Sequence, residues 1–527
     1  MPVAEALTRY APNGAVAAAN HLAASAGAAL LARGAGAVDA AIAAAAVMAV
    51  TSPHMCGLGG DLFALVLEAG RAPAALNASG RAGSGADPER LRARGLKRMP
   101  YREDVASVTV PGCVDGLVAL HERFATLELD QLLAPAVRLA RSGFPISPTL
   151  ALESAALPAE LRSRVFGGRA PLRAGQRLAL PALANVLGAI AASGRAGFYE
   201  GAPGQALLAL GGGLFSAADL KRHQADWVKP LSLEALGRTL WTVPPNSQGY
   251  LALASAWIAE HAGIPAKPGA GAWAGVLVEA ALQAARDRLE VLHEHADGAS
   301  LLAEGRLVPR AAAARDGATE SHAGVWQEGD TTYLCAVDER RTAVSLIFSN
   351  GAGFGSHLAL AEHQVFLHNR GIGFSLASGH PAEYGPGRRP PHTLSPLAVT
   401  TRGGEFEAVL GTMGADAQPQ ILLQLLARTL GAGESPGAAL AAPRWVLSRP
   451  GSSSFHVWEP GEPPRVRLEE GAPATWSAEL RRRGWEVELA AYGEHGFGHA
   501  QMIRTSADGM LCGAADPRSR DGALVGC

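Results

Sequence analysis

The 527-residue chain lacks the features that mark several large classes of protein. Its five cysteines are scattered, odd in number and without a C-x-x-C pair, which argues against a disulfide framework and a thiolate metal site. It has no long block of one charge, and its 46 basic and 48 acidic residues nearly cancel. We therefore expect a small-molecule partner in a reducing compartment, and no nucleic acid.

No apolar run reaches the roughly 18 residues that a membrane-spanning helix requires. The longest run, Ala40 to Val50, is rich in alanine and follows Asp39, which predicts a buried helix. The segment Met1 to Glu5 carries an acidic residue where a signal peptide has positive charge. These absences predict a cytoplasmic protein without a membrane partner.

Complete motifs for nucleotides and metals are also missing. The glycine clusters Gly57–Gly60 and Gly351–Gly355 contain neither a full G-x-G-x-x-G pattern nor a P-loop lysine, so we interpret them as tight turns. The triplet His293-Glu294-His295 has no third ligand nearby, which favours a solvent-facing polar segment. We expect no cofactor and no metal.

The composition, 48% hydrophobic and 18% charged, predicts a large buried core. Alanine-rich patterns predict helices at Gly14–Leu31, Asp39–Val50, Gln131–Ser142, Leu183–Ala192 and Gly275–His293. Strand pairs are predicted at Asp61–Leu67 with Pro73–Ala78, Tyr333–Val337 with Thr342–Phe348, and Leu397–Thr401 with Phe406–Leu410. A helix is predicted near Gln418 with Pro419 at its first position, and late strands at Phe455–Trp458, Val466–Leu468, Trp485–Leu489, Met502–Thr505 and Met510–Gly513.

Apolar periodicity is lost between Leu301 and Asp330, which predicts an exposed, mobile loop that enters a core strand at Thr331. A threonine hydroxyl becomes a useful nucleophile when a base lies beside it, and an N-terminal threonine carries such a base as its own α-amino group. Cleavage between Asp330 and Thr331 would expose that group, because the hydroxyl can attack the preceding carbonyl and the resulting ester can be hydrolysed. Roughly one in seven to ten of such amines is neutral at pH 7 and able to accept the hydroxyl proton.

The sequence around Thr331 alone fits an ordinary strand start, but it is one of many short stretches shared with a known family. These are Gly34 to Ala41, Ser52 to Asp61, Val110 to Gly112, Gly143-Phe144, Gly197 to Gly201, Pro244 to Gly249, Asp330 to Tyr333, Phe354-Gly355, Gly387 to Pro390, Leu394 to Pro396, Gly411 to Gly414, Asp516 to Arg518 and Asp521-Gly522. In order and spacing over some 500 residues, the chain resembles the γ-glutamyltranspeptidase family of N-terminal-nucleophile hydrolases.

The resemblance implies an α+β fold, a four-layer αββα sandwich. It implies a large subunit of residues 1–330 and a small subunit of residues 331–527, intertwined in one globular domain, and leaves open a dimer of such heterodimers. Thr331 matches the nucleophile, and Ser349 falls where a threonine hydroxyl assists it. Gly414-Ala415 matches a glycine pair that donates backbone N–H groups to the oxyanion, and Arg81 matches an arginine that clamps a substrate carboxylate.

The chain departs from the γ-glutamyl pattern where that family holds the α-amino and α-carboxyl groups of its substrate. Arg370 replaces a glutamine, Gly373 replaces an aspartate, and His392-Thr393 replaces a serine pair. An expected asparagine is Gly351, although Asn350 stands beside it. The pocket thus loses an anion and gains positive charge, which favours a small anionic amide as substrate.

The variant residues Leu367 to Gly371, His392-Thr393 and Pro53 to Met55 resemble the oxamate amidohydrolase branch of the family. That resemblance implies hydrolysis of a two-carbon amide acid. Two alternatives remain: a γ-glutamyltransferase or glutathione hydrolase with the same chemistry, and a processing-dead relative that only binds a ligand. The retained hydroxyls of Thr331 and Ser349 favour an enzyme.

Overall fold

The computed structural model describes residues 7–316, 330–448 and 464–527, without the side chain of Asp330. Two seven-stranded antiparallel sheets lie face to face, and helices cover the outer face of each. This is the four-layer αββα arrangement that the sequence predicted. Among the described residues, no helix is long and apolar enough to cross a membrane.

The strands are short, and most lie in the two large sheets. They are β1 (Arg9–Ala11), β2 (Ala15–Ala18), β3 (Asp61–Leu67), β4 (Ala74–Ala78), β5 (Phe144–Pro145), β6 (Arg177–Leu178), β7 (Asp226–Val228), β8 (Leu231–Ala235), β9 (Arg238–Thr242), β10 (Asp330–Val337), β11 (Ala343–Gly351), β12 (Leu358–Leu360), β13 (Val365–Leu367), β14 (Leu397–Thr400), β15 (Phe406–Thr412), β16 (Trp445–Ser448), β17 (Arg465–Glu469), β18 (Val487–Ala490), β19 (Ala500–Thr505), β20 (Leu511–Ala515) and β21 (Ala523–Gly526).

The α-helices concentrate in the first 316 residues. They are α1 (His21–Leu31), α2 (Ala37–Thr51), α3 (Pro88–Ala93), α4 (Cys113–Phe124), α5 (Leu129–Ser142), α6 (Pro148–Ser154), α7 (Ala159–Phe166), α8 (Pro181–Ser193), α9 (Ala196–Tyr199), α10 (Ala202–Gly211), α11 (Ala217–Lys221), α12 (Tyr250–His261), α13 (Gly271–Ala285), α14 (Arg288–Val291), α15 (Gly298–Leu301), α16 (Glu304–Asp316), α17 (Gln418–Leu426), α18 (Pro436–Ala441) and α19 (Ala474–Arg482). Short 3₁₀ turns at Arg370–Gly373 and Ala415–Ala417 border the candidate site.

The two sheets interleave strands from before and after residue 330. The first sheet has the order β21-β2-β10-β11-β3-β4-β7, and the second has β1-β20-β19-β15-β14-β9-β8. In the first sheet, β10 and β11 therefore lie between β2 and β3. The strand β10 thus has β2 from the first part of the chain on one side, along Leu334 to Val337, and β11 from the second part on the other.

Three apolar cores hold the layers together. One lies between the sheets and includes Phe63, Tyr333 and Val409. A second packs α1, α2, α4, α5 and α8 on the outer face of the first sheet, and a third packs α12, α13, α16 and α17 on the second. The sheets approach closely at Gly411, where an added Cβ would lie 2.2 Å from the Tyr333 ring.

The helix predicted at Gly14–Leu31 is wrong over its first part, where Ala15–Ala18 forms β2. Alanine fits both states, and pairing with β10 and β21 decides the outcome. Asn20 then caps α1 by accepting a hydrogen bond from Leu22 N–H. The helix predicted at Gly275–His293 is interrupted after Ala285 and resumes as the short α14.

The loop predicted from Leu301 to Asp330 is also wrong in its first half, because Glu304–Asp316 forms α16. Leu307, Ala311 and Ala314 recur on one face of this helix and are buried. Arg310 is buried as well, and it donates to Asp287 at 2.7 Å. The rest of that prediction, residues 317–329, lies outside the described residues.

The other predicted elements are confirmed within three residues at their ends. Asp39–Val50, Gln131–Ser142 and Leu183–Ala192 correspond to α2, α5 and α8, and the predicted strand pairs correspond to β3 with β4, β10 with β11, and β14 with β15. Pro419 is the second residue of α17 and not the first. Four late strands are present as β17 to β20, and Phe455–Trp458 lies outside the described residues.

Candidate active site

The hydroxyl of Thr331 donates a hydrogen bond of 2.9 Å to the hydroxyl of Ser349, and both residues are fully buried. Thr331 lies at the start of β10 and Ser349 near the end of β11, its antiparallel neighbour. A register shift between Asp330 and Thr332 interrupts the pairing at this point. This irregularity lies at the predicted cleavage site. A β-bulge re-aims the side chains beside it, so it affects the direction of the Thr331 side chain.

Ser349 has further partners that fix its position. Its hydroxyl oxygen accepts a hydrogen bond from Gly351 N–H at 2.8 Å and one from Arg370 Nη2 at 3.2 Å. Donors on the Ser349 oxygen polarise its own O–H bond, so the Ser349 hydroxyl becomes a stronger donor to a negatively charged neighbour. The Ser349 hydroxyl is therefore suited to stabilise negative charge on the neighbouring Thr331 oxygen.

Arg370 places a positive charge beside this pair of hydroxyls. Its Nη1 donates to Thr393 Oγ1 at 2.9 Å, and the side chain is almost completely buried. Burial lowers the pKa of Arg370 to about 10, against the opposing influence of Asp61 and Asp416. The guanidinium therefore remains charged at neutral pH, and a buried cation of this kind attracts an anionic substrate.

Asp61 begins β3 directly opposite Ser349 in the sheet register. Its Oδ1 accepts hydrogen bonds from Gly80 N–H at 2.8 Å and Gly112 N–H at 3.3 Å. His392 Nδ1 accepts from Leu394 N–H, so His392 Nε2 carries the proton that it donates to Asp61 Oδ2 at 3.1 Å. The carboxylate thus ties the start of β3 to the segment that carries Thr393.

The charges in this cluster follow from burial and from one another. Burial alone would raise the pKa of Asp61, but His368 and His392 outweigh it and the pKa falls to about 2. Burial, helped by the charge of Arg370, lowers the pKa of His392 to about 3, and burial also lowers the pKa of His368. Asp61 is therefore an anion at neutral pH and balances the buried charge of Arg370.

The predicted oxyanion donors Gly414 and Ala415 form the turn between β15 and α17. Both have a positive φ, 126° and 47°, which turns the chain sharply after the strand. Among the described residues, no hydrogen bond uses their N–H groups. Gln248 holds the turn, because its Nε2 donates to the carbonyls of Ala415 and Thr393, each at 3.0 Å. Ala415 also packs against Ala352 and Ile372, close to the end of β11.

An ion pair also supports this turn. Arg288 Nη2 lies 2.8 Å from Asp416 Oδ1, and its Nε donates to Gln248 Oε1 at 2.9 Å. All three side chains are buried. The position of the Ala415 carbonyl is therefore fixed by a network that α14 anchors.

Two positions that depart from the γ-glutamyl pattern have no room for the missing side chain. A Cβ at Gly373 would lie 2.3 Å from the Pro391 carbonyl oxygen. A Cβ at Gly351 would lie 2.2 Å from Asn369 Oδ1, and Gly351 has a φ of 92°. The backbone and Asn369 have closed over the space that an aspartate and an asparagine would need.

Asn350 points away from the two hydroxyls, as strand alternation requires for the residue after Ser349. Its Nδ2 donates to the Pro53 carbonyl at 3.1 Å, and its amide lies against the turn at Gly57–Gly60. The Asn350 side chain therefore lies on the opposite face of β11 from the Ser349 hydroxyl.

Arg81 lies in a cluster of charged residues. Its Nη2 donates to Asp226 at 2.9 Å, and its Nη1 lies 3.5 Å from Glu294 Oε2. Arg389 shares both carboxylate partners, through its Nη2 to Asp226 at 3.0 Å and its backbone N–H to Glu294 at 3.1 Å. Hydrogen bonds connect Arg370 and Thr393 with the Thr331–Ser349 pair. Among the described residues, no hydrogen bond connects Arg81 with this group.

A cleft of about 190 Å³ opens onto Arg370 and Thr393. Its cationic lining residues are Lys97, Arg98, Arg288 and Arg370, and its larger apolar ones are Met99, Leu289, Leu292, Ile372, Phe374 and Leu376. Of the residues that the structure describes, no acidic one lines this cleft. A cleft with this lining suits an anionic ligand with an apolar part.

Several residues of the site had no role in the sequence interpretation: Asp61, Gln248, Arg288, Asn369 and Asp416. Asp61 and Gln248 lie within stretches shared with the family, and a charged residue at the head of the apolar run Leu62–Leu67 was a usable signal. The triplet His293–His295 contributes Glu294 to the ion pairs of Arg81 and Arg388. In residues 7–316, 330–448 and 464–527, no group of three or more metal-ligating side chains is found.

Comparisons with known proteins cover nearly the whole chain. A family model described as Gamma-glutamyltranspeptidase matches residues 23–526. The chain is 35% identical to the oxamate amidohydrolase proenzyme of Klebsiella pneumoniae over 533 residues, 98% of each chain. It is 33% identical to the glutathione hydrolase-like YwrD proenzyme of Bacillus subtilis, over 96% of this chain and 97% of the relative. The cephalosporin acylase structure from Bacillus halodurans matches with a TM-score of 0.88 and 30% identity, over 99% and 97% of the two chains.

Proposed function

This chain belongs to the gamma-glutamyltranspeptidase family, and we propose that it cuts itself between Asp330 and Thr331 and then hydrolyses the amide of a small carboxylate-bearing substrate. The observation that carries the proposal is the buried pair of hydroxyls, Thr331 and Ser349, with Arg370 beside them. Thr331 is the nucleophile in both reactions. The two products of the cut are a large subunit of residues 1–330 and a small subunit of residues 331–527.

In the first reaction, Thr331 Oγ1 attacks the carbonyl carbon of Asp330 and the peptide C–N bond breaks. The acyl group moves to oxygen as an ester, and the former peptide nitrogen takes a proton as the free amine. Water then hydrolyses the ester, which leaves a carboxylate on Asp330 and restores the hydroxyl of Thr331. Once Thr331 Oγ1 has lost its proton, the Ser349 hydroxyl can rotate and donate to it, which stabilises the charge during the attack.

In the second reaction, the new α-amino group accepts the proton of its own hydroxyl while Oγ1 attacks the substrate amide. The N–H groups of Gly414 and Ala415 are the donors for the resulting oxyanion, and one such donor is worth about 2.7–4 kcal/mol. The ammonium group returns the proton to the leaving nitrogen. Water then hydrolyses the threonyl ester and releases the acid.

The positive charge of Arg370 supports a substrate that carries a carboxylate close to the reacting amide, as oxamate does. The Thr393 hydroxyl accepts a hydrogen bond from Arg370, so it is placed to donate its own proton to the same carboxylate. The relative from Klebsiella pneumoniae is named for oxamate hydrolysis. The closed space at Gly373 argues against a γ-glutamyl substrate, whose ammonium group would need a carboxylate there. Substrate-binding roles for Arg81, Asn350 and His392 stay predictions.

The cellular location also belongs to the proposal. All five cysteines are unpaired, and four of them are buried. Free thiols persist in a reducing compartment, which supports the cytoplasm.

The experiment compares the purified wild-type chain with Thr331→Ala and with Thr332→Ala as the matched control. The Thr332 hydroxyl is buried and forms no hydrogen bond to a described residue, so its loss should be tolerated. We expect two fragments and ammonia release from oxamate for the wild type and Thr332→Ala, and one uncut, inactive chain for Thr331→Ala. An uncut wild-type chain that hydrolyses oxamate would overturn the mechanism, and faster turnover of a γ-glutamyl anilide would overturn the substrate.

A further inference from the structure

The cleft in front of Arg370 is larger than a two-carbon amide acid requires. It holds about 190 Å³, whereas a single bound water needs about 10 to 15 Å³ of such space. Oxamate also has no apolar carbon to place against Leu289, Ile372 and Phe374. The size and the lining of the cleft therefore indicate a second substituent on the substrate.

The geometry fixes which end of the substrate this substituent occupies. Only two hydrogen bonds, of 3.2 and 2.9 Å, separate Arg370 Nη2 from Thr331 Oγ1 by way of Ser349. A carboxylate at Arg370 and a carbonyl carbon about 3 to 3.5 Å from Thr331 Oγ1 must therefore lie within a few bonds of each other. The acyl part is short, so the group that fills the cleft is attached to the amide nitrogen.

The rim of the cleft carries positive charge. Lys97 and Arg98 are exposed there, next to the apolar Met99. Because no acidic residue lines the described cleft, an anion on the leaving amine would meet cations at the rim and no side chain of like charge. An apolar body with a carboxylate at its end is the chemistry of a hydrophobic amino acid.

We propose that the cleft binds the amine part of the substrate, and that the preferred substrates are secondary amides between a short diacid and an apolar amino acid, such as N-oxalyl-leucine. This inference rests on the proposed function and extends it to the leaving group. The reaction consumes one water: the amide C–N bond breaks, the oxalyl carbon gains the hydroxyl oxygen, and the leucine nitrogen takes the proton. The products are oxalate and leucine.

The test measures kcat/KM of the processed enzyme for oxamate, N-isobutyl oxamate, N-oxalyl-leucine and adipic acid monoamide. We expect N-oxalyl-leucine to exceed oxamate at least tenfold, with N-isobutyl oxamate between them. Equal or faster turnover of oxamate would overturn the inference and leave the proposed function standing. Preference for adipic acid monoamide would also overturn it, since the cleft would then hold the acyl chain.

Variants of the cleft test the same point by selectivity. We expect Leu289→Ala and Lys97→Gln each to lower the ratio of kcat/KM for N-oxalyl-leucine to that for oxamate at least fivefold. Lys229→Gln is the matched control, because Lys229 is exposed and does not line the cleft. An unchanged ratio in both cleft variants would overturn the inference. If a processed chain hydrolysed none of the amides, the inference and the substrate assignment would both fail, whereas an uncut chain would contradict the proposed function itself.

Discussion

The Thr331 and Ser349 hydroxyls lie 2.9 Å apart across two neighbouring strands, in the middle of a sheet. Neither oxygen is exposed to solvent, and the Ser349 oxygen also accepts from Gly351 and Arg370. The sheet therefore sets the position of the Thr331 hydroxyl, the proposed nucleophile.

The first prediction concerns the Ser349 hydroxyl. Ser349→Ala removes the partner of Thr331 and leaves a buried donor unpaired, which costs about 1–3 kcal/mol. We expect self-cleavage and kcat to fall about 10- to 100-fold. Ser349→Thr keeps the hydroxyl and should retain most of both rates, as measured by gel densitometry and ammonia release. Equal rates in the alanine and threonine variants would show that the hydroxyl has no part in the chemistry.

The second prediction concerns the charge of Asp61. Asp61→Asn keeps an acceptor for His392 but removes the anion that balances Arg370, so we expect kcat and the cleavage rate to fall about tenfold or more. KM should change by less than about threefold, because Asp61 acts through its neighbours and does not touch the substrate. The measurement is steady-state kinetics on a carboxylate-bearing amide, together with the time course of cleavage.

Asp39→Asn provides the control for Asp61. Asp39 is equally buried, but it accepts hydrogen bonds from Gly36, Thr126 and Leu127 at the start of α2. This variant should lose stability and still cleave completely at low temperature. If both asparagine variants cleaved alike, the charge of Asp61 would have no special link to the site.

The third prediction concerns acid stability. Burial alone would raise the pKa of Asp61. In the folded protein this pKa nevertheless falls from 3.8 to about 2, because His368 and His392 favour the anion. The depressed folded pKa means that the stabilisation is full above the unfolded value near 3.8 and disappears as the pH falls through about 2. This stabilisation of the folded state is on the order of 2 kcal/mol. Unfolding of wild type and Asp61→Asn should therefore differ at pH 6 and converge towards pH 2, and a constant difference would contradict this.

The fourth prediction concerns the closed space at Gly373. Gly373→Ala should lower the melting temperature by several degrees, because its Cβ would clash with the Pro391 carbonyl oxygen. Gly385→Ala is the matched control, since a Cβ there would make an ordinary contact of 3.5 Å with Arg388. Gly373→Asp should not gain turnover of a γ-glutamyl anilide. A gain without loss of stability would show that the pocket can still hold a carboxylate there.

Much of the fold was predictable because its signals are local. The continuous apolar run of β3, the strand pair β10–β11 and the alanine-rich α2 each follow from a few neighbouring residues. Ala15–Ala18 was not predictable, because alanine fits a helix as well as a strand and its strand partners lie more than 300 residues away. The helix α16 was missed because its stripe of Leu307, Ala311 and Ala314 is weakly apolar and depends on packing against α12 and α13.

The candidate site was likewise predictable only in part. Hairpin geometry and family resemblance were sufficient to pair Thr331 with Ser349. The contact between Asp61 and His392 joins positions 331 residues apart, so no local pattern could indicate it. The loss of space at Gly373 depends on where the Pro391 carbonyl lies. Such contacts are properties of the packed fold and require the structure.

The most direct test determines the N-terminal sequence of the smaller fragment of active, purified protein. The account predicts Thr-Thr-Tyr-Leu, the residues from Thr331 onward, and predicts no such fragment from Thr331→Ala. A fragment that starts at any other residue, or an active protein that remains one chain, would contradict the central claim.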